Sequence, residues 1–227
     1  VQKKKKEEAV ERPFIMMYKD FMTNQEYDVR DQFVYLLLKG FSHQRYGDIS
    51  IASVDSILSV LGFVINSKNK QGIKESIEKL INGDIIKMFS DIQCKNEVLE
   101  VKYSDTYFFN VTDNPFEDGF FSKIYHEDFY KFIMMEEKNK MKVFTVYFNI
   151  ISRMYDSVSS DRYTLPNIDE MERETGINRK TISKYIQVLM ENKLIYYISM
   201  RKATDKTKNV YGRWEHRELV KRFAESN

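Results

Sequence analysis

Residues 167–198 read "NIDEMERETGINRKTISKYIQVLMENKLIYYI", and the corner inside this stretch decides the fold. Asn167 is a helix-capping residue type, and Glu170 three positions later gives the spacing of a capping box. Gly176 stands where the first helix must stop, in a left-handed conformation that a Cβ would oppose. Ile177 is the apolar residue such a corner buries, and Asn178 is a second cap. Beyond it, Ile182, Ile186 and Leu189 recur at the spacing of one helix stripe. A helical projection leaves Lys180, Ser183, Lys184 and Gln187 on the opposite side, with Arg179 at its edge. The stretch predicts two helices joined by a tight corner, the second with a polar, basic outer face.

The rest of the chain repeats this plan. "SVDSILSVLG" (53–62) aligns with "NIDEMERETG" (167–176), and "IKESIEKLINGDII" (73–86) with "ISKYIQVLMENKLI" (182–195). Ile73, Ile77 and Leu80 thereby match Ile182, Ile186 and Leu189. Upstream, "KDFM" (19–22) has a counterpart in "EDFY" (127–130), and each precedes a strongly apolar helix, near 28–43 and near 140–157. Both copies close on β-type sequence: 85–93 and 97–111 in the first, 194–200 and 209–214 in the second. Three helices followed by a hairpin is the order of a winged-helix domain. The expected fold class is therefore α+β, mainly α, with two tandem winged-helix domains. A charged tail at 1–13 would precede a first domain at 14–116 and a second at 117–227. They would join near "TDNPFEDG" (112–119), where Pro, Gly and acids cluster.

Composition supports this reading. A chain of 227 residues suits two domains of about 100 residues each. Only three Pro and eight Gly argue against a disordered or fibrous protein. The lone Cys94 excludes an internal disulfide and a multi-cysteine metal site, and fits a strand thiol in a reducing compartment. Apolar runs such as "FVYLLL" (33–38) are too short to span a bilayer. The opening "VQKKKKEEAVERP" has no apolar stretch behind its charges, so no secretory signal is read there. The expectation is a soluble, cytoplasmic protein with no membrane partner and a solvated tail, a phosphate-touching arm being the alternative for that tail.

Charge is unevenly spread. From 138 to 227 there are 18 Lys and Arg against 11 Asp and Glu, a net of +7. From 84 to 137 there are 5 against 12, a net of −7. A basic C-terminal part beside an acidic middle points to an anionic partner for the former. The first half of the helix after Gly176 carries the side chains that read a major groove. Arg, Lys and Gln hydrogen-bond base edges, while Ser, Thr and Lys hold phosphates. Candidate DNA-binding residues are Asn178, Arg179, Lys180, Thr181, Ser183, Lys184 and Gln187. Arg201, Lys202, Lys206 and Lys208 join them around a hairpin tip. In the first copy the corner "GFVINSKNKQG" (62–72) is about five residues longer and offers Lys68 and Lys70. Its helix mixes Glu75 and Glu78 with Lys74 and Lys79, which makes it the poorer reader. A second DNA contact, a dimerisation surface or a protein-docking site all fit it, and the first is preferred.

The stretch 165–195 resembles the helix-turn-helix of bacterial winged-helix regulators of the GntR and MarR families. Pro166, Gly176, Ile177, Arg179, Thr181, Ile182, Leu189, Leu194 and Ile195 carry the resemblance. Glu172 departs from it, since a small residue usually packs there, and this implies a wider crossing or a shifted register. "FIMMYKDFM" (14–22) and "FSKIYHEDFYKF" (121–132) are loosely similar to segments of Gram-positive plasmid replication proteins. The resemblance implies a sequence-specific duplex-DNA-binding protein, either a transcription regulator or a plasmid- or phage-type replication initiator. Its partners would be double-stranded DNA, a second copy as homodimer, and the replication or transcription machinery. The rival class is a protein-interaction adaptor, for which 16 Phe and 11 Met would supply contacts. No enzyme, metal or cofactor is expected. His43, His126 and His216 have no ligand spacing, and no glycine-rich phosphate loop, GxSxG or HExxH occurs.

Overall fold

The computed structural model describes residues 12–42, 48–111, 120–154, 162–201 and 207–226. Within them the chain runs twice through one series of elements. The first series is β1 (Phe14–Tyr18), α1 (Lys19–Thr23), α2 (Val29–Gly40), β2 (Ile49–Ser53), α3 (Val54–Leu61), α4 (Ser67–Asn82), β3 (Ile86–Phe89) and β4 (Thr106–Val111). The second is β5 (Phe121–Tyr125), α5 (His126–Met134), α6 (Lys140–Ile151), β6 (Tyr163–Thr164), α7 (Ile168–Thr175), α8 (Arg179–Glu191), β7 (Ile195–Arg201) and β8 (Thr207–Arg213). A 3-10 turn at Trp214–His216 and a helix α9 (Arg217–Glu225) follow. The fold is mixed α+β. No helix among the described residues is long and apolar enough to cross a membrane.

The two copies agree at the level of single backbone torsions. Ser53 caps α3 by accepting from the Ser56 amide, and Asn167 caps α7 by accepting from the Glu170 amide. The helices stop at Gly62 (φ 72°) and Gly176 (φ 67°). No atom lies within 4 Å of a Cβ built at either position, so the left-handed torsion, not lack of space, demands glycine. α4 and α8 end alike: Asp84 and Lys193 sit at φ 55° and 54°. The next amides, of Ile85 and Leu194, return to the carbonyls of Leu80 and Leu189 at 3.0 and 2.9 Å.

Three features differ from the sequence reading. The extra length of the first copy is divided between the corner and the helix. Residues 62–66 link α3 to α4 where 176–178 link α7 to α8, and α4 then begins six residues before Ile73 while α8 begins three before Ile182. Lys68 and Lys70 thus lie in the first turn of α4, not in the corner, because Asn66 caps it by accepting from the Asn69 amide. Each hairpin also gains a third antiparallel strand, β2 or β6, giving the orders β2-β4-β3 and β6-β8-β7. Cys94 lies in the turn after β3 at φ 53°, not in a strand.

The leader strands join the copies. β1 pairs antiparallel with β5, from Phe14 opposite Tyr125 to Tyr18 opposite Phe121. Equivalent strands pairing antiparallel set the copies about a local two-fold. Beneath this ribbon α2 and α6 share one core, in which Phe33 and Phe144 meet edge to face at 5.7 Å. Phe33 to Leu38 are all buried, as expected for a helix enclosed on every side. A satellite core of Met200, Val210 and Val220 lies under α9. The expected boundary at 116/117 falls outside the described residues.

A buried polar network anchors the second hairpin to the ribbon. The Tyr147 hydroxyl donates to Asp128 at 2.7 Å and accepts from Arg213 Nη1 at 3.0 Å. Arg213 Nη2 donates to the Lys123 carbonyl of β5 at 2.6 Å. Burial pushes the Tyr147 phenol well up, which keeps it a proton donor to Asp128.

Candidate nucleic-acid interface

α8 is amphipathic along its whole length. Ile182, Ile186 and Leu189 are buried as the spacing predicts, packed towards α6 and α7. Tyr185 joins them, a fourth buried side chain that the stripe of three omitted although it stands three residues after Ile182. Outside lie Arg179, Lys180, Ser183, Lys184 and Gln187, all exposed, with Thr181 half-buried. At 1.5 Å per residue the row from 179 to 187 is about 12 Å long, or three to four base-pair steps. The helix turns directly into β7 through Lys193 and Leu194, which places the β7–β8 hairpin beside it.

Several of these side chains already have partners within the chain. Asn178 accepts from the Thr181 amide at 3.0 Å, so its carbonyl oxygen is used as a cap. Ser183 donates back to the Arg179 carbonyl at 3.0 Å, and Gln187 donates to Glu191 at 2.9 Å. Arg179 reaches two acids of α7, Glu172 at 3.0 Å and Asp169 at 3.1 Å. Their carboxylates raise its pKa further, the Glu172 hydrogen bond contributing most. Glu172 also accepts from the Arg179 amide at 3.3 Å. Glu172 therefore clasps the positive end of α8. Lys184 is held by Glu137 of the α5–α6 connection at 3.0 Å. Burial opposes ionisation of Glu137, yet the Lys184 ammonium and the Asn139 amide hold its carboxyl below the ordinary value. Lys180 has no hydrogen bond or ion pair among the described residues.

The upstream cap is similarly tied down. Glu170 is engaged chiefly by Arg153 at 2.8 Å, which lowers its pKa, and Arg153 also binds Glu174. These bonds fix α7, and through it the corner, against the end of α6.

The β7–β8 hairpin pairs in register from Ile195 opposite Arg213 to Arg201 opposite Thr207. Lys208 is half-exposed on β8. Lys202 and Lys206, and the side chain of Arg201, lie outside the described residues. The first copy contrasts with this. Lys70 is taken by Asp55 at 2.9 Å, and Lys74 by Glu78 at 3.4 Å. Lys68 has no such partner among the described residues. Its β3–β4 connection turns tightly on Asp91 and exposes Ile92 and Leu99. His126 begins α5 and His216 ends the 3-10 turn after β8, His43 lies outside the described residues, and no metal-ligand cluster occurs among those described.

The structure thus presents a helix with an exposed, cation-bearing polar row beside a two-stranded ribbon. No protein-family model matches the sequence, and no curated protein matches it. A solved structure of RctB domains 2-3 matches 91% of this chain and 86% of that one, at 12% identity and a TM-score of 0.38. A likeness of that degree carries no argument about fold or function.

Proposed function

We propose that this chain is a sequence-specific double-stranded DNA-binding protein made of two tandem winged-helix units. In this reading α8 enters the major groove and the β7–β8 hairpin flanks the sugar-phosphate backbone. One observation carries it: Arg179, Lys180, Ser183, Lys184 and Gln187 line the outer face of a helix whose opposite face is wholly buried. Arg and Lys supply base-edge and phosphate donors, and the positive end of the helix adds to both. Unequal readers in one chain suit a long asymmetric or directly repeated site, which favours a plasmid- or phage-type replication initiator over a transcription regulator. No reaction or cofactor is part of the proposal.

A second reading, protein docking, is favoured by the first copy alone. Val64, Ile65 and Leu99 are exposed there, and Lys70 and Lys74 of α4 are held by acids. Selection of bound duplexes from a random pool separates these. Directly repeated half-sites support an initiator, and a palindrome a homodimeric regulator, since operator symmetry mirrors protein symmetry. A pool that never enriches sinks the DNA reading and leaves docking.

A further inference from the structure

Gly72 is buried in the second turn of α4, where glycine weakens a helix relative to alanine. The reason for it lies on α2. The Arg30 guanidinium is laid across the helix at this point, so that a Cβ on Gly72 would stand 2.4 Å from its Nη1 and 3.0 Å from its Cζ. Arg30 is half-buried, and its side chain has no hydrogen bond or ion pair among the described residues. Beside it opens a cleft of about 310 Å³ that Lys68 also lines, likewise without an acid partner among the described residues. The one carboxylate on its wall, Glu75, accepts from the Gln71 amide at 2.9 Å, and Gln71 in turn accepts from Tyr103.

We propose that this cleft is a phosphate site, occupied by the backbone of the same duplex that α8 reads. Arg30 and Lys68 would be the first copy's DNA contacts, and Gly72 the positioning residue that lets the guanidinium lie there. Lys70 is left out because Asp55 holds it. A guanidinium lying on the helix offers a phosphate two parallel donors, and Lys68 adds a second cation at the start of the helix, where the dipole also favours an anion. The inference rests on the DNA-binding reading and adds to it a site on the other copy, brought in by a two-helix contact.

The test uses the full chain, a long duplex spanning both copies and a short one covering only the α8 half-site. Arg30→Ala weakens binding to the long duplex about five- to ten-fold and lowers its salt slope by about one, with no change on the short one. Gly72→Ala favours the helix yet displaces the guanidinium, so it gives the same loss on the long duplex without a loss of thermal stability. An Arg30→Ala effect equal on both duplexes, or absent from both, overturns the site. So does inorganic phosphate bound through Arg30 with no effect of duplex length, which would make the ligand a free anion. Wild-type protein that binds neither duplex overturns the DNA reading itself, a result distinct from binding that ignores Arg30.

Discussion

Lys70 and Arg179 hold the same place relative to the buried stripe of their helices, three residues before Ile73 and Ile182. Each reaches an acid in the first turn of the preceding helix, Asp55 at 2.9 Å and Asp169 at 3.1 Å. The pairs differ in exposure. The Lys70 side chain is 23% exposed and that of Arg179 62%. An exposed ion pair contributes little to stability and exchanges readily for another anion. One position of the repeat therefore fastens the first copy's corner and stands largely in solvent in the second. Difference in burial, not in charge, separates them.

The largest expected contrast lies in the polar anchors. Asp128, Tyr147 and Arg213 are all buried, whereas the first copy's nearest analogue joins buried Asp31 to Lys79, whose side chain is 44% exposed. Arg213→Ala removes the buried guanidinium beside Asp128, to which Lys131 stays bound at 3.1 Å, and strips Tyr147 and the Lys123 carbonyl of a donor, a loss of about 3 kcal/mol. Lys79→Ala costs about 1 kcal/mol, since solvent already reaches that ammonium. Urea unfolding midpoints of the two variants measure the difference, and equal losses would mean that the two anchors do the same job.

Next in size is the effect on DNA. Arg179→Ala combined with Lys184→Ala lowers affinity for the selected duplex about 100-fold or more and flattens its salt dependence. Lys70→Ala, at the matching position, changes it less than about two-fold. Titrations over a salt series give both numbers. Comparable losses from the two copies would break the assignment of reader and fastener.

The corners were legible in the sequence because their causes are local. A cap, a stop glycine and three apolar residues on one stripe all act within a turn or two of chain, and they place α3, α7 and α8 to within a few residues, while the start of α4 lies six residues before the expected one. The pairing of β1 with β5 is a contact between residues more than a hundred positions apart, and nothing in "FIMMY" marks its partner. β2 and β6 escaped for a similar reason: their pairing is set by β4 and β8 far downstream. Gly72 looked like the end of a long corner because a glycine beside a polar run usually is one. Only Arg30, forty-two positions earlier, explains it. Of the candidate site, the row on α8 could be projected from spacing alone. The acids that hold it could not, since Glu137 belongs to another element.

Smaller and more symmetric is the effect of the two stop glycines. Gly62→Ala and Gly176→Ala each place a Cβ on a left-handed torsion with open space around it, so each costs about 1–2 kcal/mol through backbone strain alone. Matching shifts in thermal midpoint sharpen the equivalence of the corners. A clearly larger cost at one would show that its surroundings, and not the torsion, demand glycine.

The smallest effect concerns the acid that pairs with Lys184. Lys184 corresponds in the repeat to Glu75, so the first copy carries an acid where the second carries a cation. The second copy compensates its cation from outside the helix, with Glu137 at 3.0 Å. Because Lys184 and the Asn139 amide hold that carboxyl low against the opposing effect of burial, it is ionised at neutral pH. It therefore occupies the ammonium that an approaching phosphate or base would take. Glu137→Gln removes the competing charge but keeps a hydrogen-bonding amide. It raises duplex affinity about two- to three-fold in low salt, and the gain fades as salt screens the exposed Lys184 ammonium. The same substitution in a Lys184→Ala background gives no gain. If affinity rises there as well, Glu137 acts through the general field of the acidic middle segment, and the pairing with Lys184 is incidental to binding.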